Sequence, residues 1–321
     1  MSDSGEVSKS FVSVIVPVYN GGKYLAECLD SIKKQTYTNY ECIINNNQST
    51  DNTLLIAEEF AKKDDRFIIH NNQEFEGQAE NWNIAISKIS GKSNYVKIIP
   101  ADDWIFPDYL LRMVKLMDKY PQTGICSSYR LDERKIRCDG LDYYNGPVFS
   151  GKKILYEQLL QKIEITGSVN TLMFRNSVLQ KLPGYPKIFD SKSYHIDTML
   201  AYEVLKLSDL GFVFQVLSFT RRHNETLTSK VSEKYNTSIF FKDFAISESL
   251  PIFPELRQYY SKHRMNYAWF LIKRWLARDK ECLKWHKRFL IQPIRPSEYA
   301  KSIFYRLFFS NRMSKNNNKK S

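Results

Sequence analysis

Two aspartates, Asp102 and Asp103, stand side by side where an apolar run ends, in IIPADDW (98–104). Adjacent carboxylates repel each other. A solvated turn would tolerate them, because Asp side chains bond the local backbone. A divalent cation beside Asp102 would relieve the repulsion in another way. Hard oxygen ligands suit Mg2+ or Mn2+, and Mg2+ commonly works through one or two carboxylates plus substrate phosphates. Such an ion would also neutralise a diphosphate leaving group. Amide, hydroxyl and carboxylate side chains cluster at two further places, PVYN (17–20) and NNNQSTD (45–51). Other chemistries lack their residues. The chain has no GxGxxG, GxxxxGK[ST], GxSxG or HExxH, and no Cys/His cluster.

The elements that must position these residues are legible. FVSVIVPVYN (11–20) is a β-branched run stopped by Pro17 and Asn20, which predicts a buried strand. YECIIN (40–45), RFIIH (66–70) and YVKIIP (95–100) predict three more. Helical patterns lie between them, in GGKYLAECLDSIKKQ, in STDNTLLIAEEFAKK with its start signal Ser49-Thr50-Asp51, and in GQAENWNIAISKIS. Strand and helix alternate, as in a parallel sheet covered on both faces. Ligands of such sheets bind beyond the C-terminal strand ends. PVYN, NNNQSTD and PADD all fall there, so one crevice gathers them. A helix (107–120) and a strand (123–129) follow, then an irregular stretch, a helix near 196–207 and a strand near 211–219. From about 235 only helices are expected.

The run VSVIVPVYNGGKYLAECLDSIKKQTYTNYECIINNNQSTDNT, with GQAENWN, IIPADDW and YHID, resembles an inverting family 2 glycosyltransferase of the GT-A fold, over about residues 10–225. The resemblance implies a mostly parallel nucleotide-binding α/β sheet flanked by helices. It implies transfer of a sugar from a nucleoside-diphosphate sugar to an acceptor hydroxyl, with Mg2+ or Mn2+. Pro17, Val18, Tyr19 and Asn20 would line the nucleotide pocket. Asn46 sits where the family often has an aspartate facing the base, with Gln48 and Ser49 beside it. Ala101, Asp102 and Asp103 fall on the Asp-x-Asp region, whose first Asp is Pro100 here. The base is left open, with a UDP-sugar favoured. Asn81 and Asn83 would orient donor hydroxyls or pair within their helix. Asp197, in YHIDTML, falls on the family's base position or caps its helix, with Asp190 in reserve. His223, in RRHNETLT, would touch metal or diphosphate, with Arg221 and Arg222 near phosphate oxygens. Trp104 reads as packing beneath the site.

Charge divides the 321 residues in two. Residues 251–321 hold 17 Lys/Arg against 4 Asp/Glu, whereas residues 1–250 hold 30 against 31. The reading is therefore a catalytic domain over 1–234, a helical basic extension over 235–310 and a disordered basic tail over 311–321. Met265, Ala268, Trp269, Ile272, Leu276, Leu283 and Leu290 share a helical stripe over 263–290 flanked by cations, and YAKSIFYRLFF (299–309) adds aromatics between cations, which together predict docking on an anionic membrane. No apolar run approaches the roughly 18–20 residues that span a bilayer. The five scattered cysteines indicate neither a disulfide framework nor a zinc site. The N-terminus lacks an apolar signal core. A cytoplasmic enzyme, peripheral on the inner membrane face and acting on a glycan or lipid-linked acceptor, fits these features. No nucleic-acid recognition module is present. A metal-dependent nucleotidyltransferase and a non-catalytic nucleotide-binding protein are the alternatives. The first usually needs a Gly-rich basic loop longer than GGKY.

Overall fold

A computed structural model describes residues 10–166, 168–182, 195–222, 234–290 and 292–317, apart from the side chains of Phe289 and of residues 308–317. The chain forms two compact units, 1–223 and 224–321.

The first unit opens with four parallel strands and their crossover helices. These are β1 (Val12–Val18), α1 (Leu25–Lys33), β2 (Tyr40–Asn46), α2 (Thr53–Ala61), β3 (Phe67–Asn71), α3 (Gln78–Ser87) and β4 (Tyr95–Ile98). Every residue of β1 is buried, so the strand shows no alternation, as expected where helices cover both faces. Helix α1 buries Leu25, Cys28, Leu29 and Ile32, one helical stripe.

Next come β5 (Trp104–Ile105), α4 (Tyr109–Lys119), β6 (Thr123–Asp132), β7 (Lys135–Arg137), β8 (Val148–Phe149) and α5 (Gly151–Leu159). The unit then adds β9 (Met173–Arg175), α6 (Asn176–Leu179), α7 (Ile196–Leu207) and β10 (Asp209–Thr220). The sheet order is β3-β2-β1-β4-β9-β6-β10-β5, with β7 on β6 and β8 on β10. Strands β6 and β10 are parallel to each other. Short β9 runs antiparallel between β4 and β6 and joins the two parallel blocks. The stretch read as irregular from sequence thus supplies the strand that closes the sheet. Its three residues are too few to show a period.

The second unit holds α8 (Thr237–Ser249), α9 (Arg257–Leu276), α10 (Lys280–Phe289) and α11 (Pro296–Asn317). Its core is Tyr267, Ala268, Phe270, Leu271, Cys282 and Ile294, with Leu283, Leu290 and Tyr299 against it. The expected single stripe over 263–290 is therefore not one face. The helix breaks where Arg278 takes φ 56° and Asp279 caps α10 through the Cys282 amide at 3.0 Å. Ala268, Leu283 and Leu290 pack inward. Buried Arg264 binds Asp243, Glu298 and the carbonyls of Gln292 and Pro293, tying α8, α9 and the start of α11. Helix α11 runs past 310, where the sequence reading begins its tail. All five cysteines are buried and unbridged. No helix among the described residues is long and apolar enough to cross a membrane.

Candidate functional site

The turns after β1 and β2 are sewn together by the STDNT side chains. The Asn20 amide donates to Ser49 Oγ (2.9 Å), the Gly21 amide to Thr53 Oγ1 (2.8 Å) and the Gly22 amide to Asp51 Oδ2 (2.9 Å). Asn20 Oδ1 accepts in return from the Thr50 amide at 2.8 Å. Asn20 (φ 48°) and Gln48 (φ 59°) take the left-handed conformation, which Asn tolerates better than most residues. At Gly22 a Cβ would lie 1.7 Å from Asn52 Oδ1, so a larger residue there would have to push the Asn52 side chain aside. The signal read as a helix start is thus only half about α2. Its side chains also satisfy the amides of Asn20, Gly21 and Gly22 in the turn between β1 and α1. Pro17 and Val18 are buried within β1, and Tyr19 and Asn20 are the exposed residues of that end.

A second tie joins β2, β3 and α3 through asparagines. Asn45 Nδ2 donates to Asn81 Oδ1 (2.6 Å) and Asn72 Oδ1 (3.1 Å), and Asn72 Nδ2 donates to Asn47 Oδ1 (2.8 Å) and Asn81 Oδ1 (3.0 Å). Asn47 also holds the backbone of Glu76 by two bonds, and Gln48 Nε2 donates to the Asn72 carbonyl. Asn46 Nδ2 donates to Asn71 Oδ1 at 3.0 Å, and its Oδ1 accepts from the Ser49 amide at 3.2 Å. Asn81 therefore sits in the scaffold rather than on its surface. Asn83 is buried, and its Oδ1 has no partner among the described residues. Asn47→Ala would strip the acceptor from buried Asn72 and from the Glu76 amide. The expected loss is about 1–3 kcal/mol of unfolding free energy, read by urea denaturation.

The ADD turn closes on the Asp103 amide, which donates to the Pro100 carbonyl at 3.0 Å. Asp103 is 4% exposed, and its Oδ1 accepts from the Arg221 amide at 2.9 Å. Burial, reinforced by the neighbouring Asp102 carboxylate, pushes its carboxyl up to about 7. Asp102 is more open than Asp103, and its carbonyl accepts from Arg221 Nε at 3.2 Å. The Arg221 guanidinium also binds Glu27 and lies over the rings of Tyr24 (4.4 Å) and Trp104 (5.0 Å). Trp104 stacks on Phe219 at 3.8 Å, so its ring packs beneath the turn. Arg222 instead makes a forked pair with Asp132.

Lys97 of β4 is fully buried and donates to the carbonyls of Val169 (3.3 Å), Asn170 (2.6 Å) and Leu172 (3.3 Å). Burial pulls its pKa well down, against the attraction of Asp103. It pins the segment before β9 under the strand ends. A lone lysine inside YVKII was the visible signal for it. The Arg221 clasp carried no such signal, since its partners lie 118 and 194 residues away.

Asp197 lies in the first turn of α7, whose N-cap is His195, so it is not itself the cap. Its Oδ1 accepts from the Thr198 amide at 2.8 Å. Burial lowers the His195 pKa, while Asp197 pulls it the other way. Helix α7 leads directly into β10 and so runs antiparallel to it. Its N-terminus therefore points toward the edge of the sheet where β1, β2 and β4 end. His223 and Asp190 lie outside the described residues. Among those described, no group of three or more His, Cys, Asp or Glu gathers around a common point.

A family model described as glycosyl transferase family 2 matches residues 13–182, more than half of the chain. The chain belongs to that family. This family 2 glycosyltransferase is 29% identical over 208 residues to GlyA, a glycosyltransferase of Streptococcus pneumoniae serotype 4, covering 64% of the chain and 27% of GlyA. EpsH of Bacillus subtilis is 26% identical over 275 residues, covering 81% of the chain and 74% of EpsH. Among solved structures, residues 1–349 of Staphylococcus aureus TarS in complex with UDP-GlcNAc superpose with a TM-score of 0.58 at 20% identity, over 74% of this chain and 66% of that one. The Pyrobaculum calidifontis mannosyltransferase PcManGT, in complex with GDP-Man and Mn2+, reaches a TM-score of 0.50 at 17% identity, over 93% and 87%. These likenesses show the fold, GT-A as expected. The family 2 chain spans about a quarter of GlyA's length and about two thirds of the TarS fragment.

Proposed function

We propose that the protein moves a sugar from a nucleoside-diphosphate sugar to an acceptor hydroxyl in one inverting displacement. The convergence of Tyr19 and Asn20, the Asn46–Ser49 loop and the Asp102–Asp103 turn on one edge of the sheet carries this reading. Asp197, at the helix start facing that edge, takes the proton of the acceptor hydroxyl. The acceptor oxygen bonds to the anomeric carbon as the bond to the diphosphate oxygen breaks on the opposite face. The nucleoside diphosphate leaves with that electron pair. The half-buried Asp102 carboxylate and the second oxygen of Asp103 would supply all-oxygen ligands of the kind that suit Mg2+ or Mn2+, completed by donor phosphates. Bound there, the cation would neutralise charge on the departing diphosphate. The buried, partnerless Oδ1 of Asn83 suits a donor hydroxyl. The donors named for TarS and PcManGT support a nucleotide-sugar without choosing the base. A UDP-sugar donor and a role in bacterial polysaccharide or lipid-linked glycan synthesis complete the reading. Its test is acceptor-dependent release of nucleoside diphosphate, after a thermal-shift screen of UDP, GDP, CDP and dTDP with and without Mn2+. No stabilisation by any of the four would sink it.

We propose that the membrane contact is made by α11, which carries YAKSIFYRLFF. Tyr299 and Ser302 face the unit's core, while Ile303 (42%), Phe304 (56%) and Leu307 (67%) are exposed on the other side with Lys301 beside them. Exposed apolar residues with Lys301 beside them suit the interface of an anionic bilayer. Each cation near that surface adds about 1 kcal/mol. Phe304→Ser with Leu307→Ser should abolish binding to anionic vesicles and leave the melting temperature unchanged, since neither side chain is buried. Vesicle binding by the double variant equal to wild type would overturn the assignment.

A further inference from the structure

We propose that Phe75 is a further donor-binding residue, forming with Tyr19 an aromatic arch that takes the nucleobase. The inference rests on the nucleotide-sugar reading given above. Tyr19 leaves the end of β1 and Phe75 lies in the loop after β3, yet their rings meet edge to face, with centroids 4.8 Å apart and planes at 64°. Strands β1 and β3 lie on opposite sides of β2. Two strand spacings separate them, about 10 Å. The pair therefore spans the end of β2, the strand end that carries Asn46, Asn47 and Gln48.

The loop bearing Phe75 is held rather than loose. Asn47 Nδ2 donates to the Glu76 carbonyl (2.8 Å) and Asn47 Oδ1 accepts from the Glu76 amide (2.9 Å). Gln48 Nε2 donates to the carbonyls of Asn72 and Gln73. The neighbours of Phe75 on both sides are thus fixed to β2, and the ring needs little further ordering to receive a ligand. Even so, Phe75 is 60% exposed and Tyr19 48%. Two large rings held half bare at a ligand crevice suit a flat apolar surface that covers them.

Charge narrows the choice of surface. Glu74 and Glu76 flank Phe75, so a diphosphate is repelled here and an uncharged planar group is not. The nucleobase is the planar, neutral part of the proposed donor. Stacking of a base on an aromatic ring is worth a substantial share of affinity and tolerates any base, because every base presents a π-face. On this view Phe75 supplies affinity, and the amides of the β2 loop are left to choose the base.

The test titrates full-length protein, with Mn2+ present, against whichever of UDP, GDP, CDP and dTDP binds the wild type, and against inorganic pyrophosphate. Phe75→Ala should weaken nucleoside-diphosphate binding roughly 5- to 150-fold, the range that base stacking spans. Pyrophosphate binding and the melting temperature should stay unchanged, because the ring is exposed and only the base touches it. Phe75→Tyr should restore affinity. Equal nucleotide affinity in Phe75→Ala and wild type overturns the proposal. So does an equal loss for pyrophosphate, which would mean a displaced loop, or an effect confined to acceptor KM. If no nucleoside diphosphate binds the wild type, the donor reading itself fails, and the arch with it.

Discussion

Asp102→Ala is expected to abolish sugar transfer and to make nucleoside-diphosphate binding indifferent to Mn2+. The expectation follows from the ADD turn. Asp103 is buried and gives one oxygen to the Arg221 amide, so Asp102 is the carboxylate better placed to meet a cation from the crevice. Its backbone work, accepting from Arg221 Nε through the carbonyl, survives the substitution. The fold should therefore stay intact, and the loss should be chemical. Asp103→Asn should be milder in catalysis, because an amide oxygen can still accept from Arg221. Initial rates and isothermal titration with and without chelator decide the matter. Transfer by Asp102→Ala at the wild-type rate, or undiminished wild-type transfer in excess chelator, would refute the cation role.

Asp197→Asn should retain donor affinity and lose about 10²–10⁴-fold in kcat, the usual contribution of a positioned general base. Asparagine keeps an acceptor for the Thr198 amide, so the first turn of α7 should remain ordered. The two predictions separate by readout. The Asp102 variant alters how the metal supports donor binding, whereas the Asp197 variant should bind donor and metal as the wild type does. An Asp197→Asn enzyme that melts early and keeps its kcat would reassign Asp197 to structure.

The first strands and the turns at their ends were legible because the elements are long and their signals local. Continuous β-branched runs marked β1, β2 and β4, and polar residues stopped each of them where the crevice opens. What the STDNT side chains do was not legible, since their partners are backbone amides of another turn. The Asn45–Asn47–Asn72–Asn81 network lay hidden because its partners are distant in sequence, and Asn81, read as a donor contact or a pairing within its helix, bonds Asn45 and Asn72. Strand β9 escaped because three residues have no period. The helical stripe over 263–290 misled because periodicity cannot see one left-handed residue, Arg278, which divides it. The charge of the extension was legible by counting, but which of its apolar residues are left exposed depends on packing.

Strand β9 has a consequence beyond closing the sheet. It meets β4 over Tyr95–Lys97 and β6 only at Ile125 and Cys126, a narrow seam between two parallel blocks. The block before the seam carries the strand ends assigned to the donor, and the block after it carries β6, β10 and the helix of Asp197. A change of one block that left the other intact would have to preserve that seam and also the Arg221 clasp, which ties the end of β10 to the ADD turn and to Glu27 of α1. The hydrogen bonds that hold the first three strand ends together all lie on one side of the seam, so substitutions within β6 and β10 touch none of them.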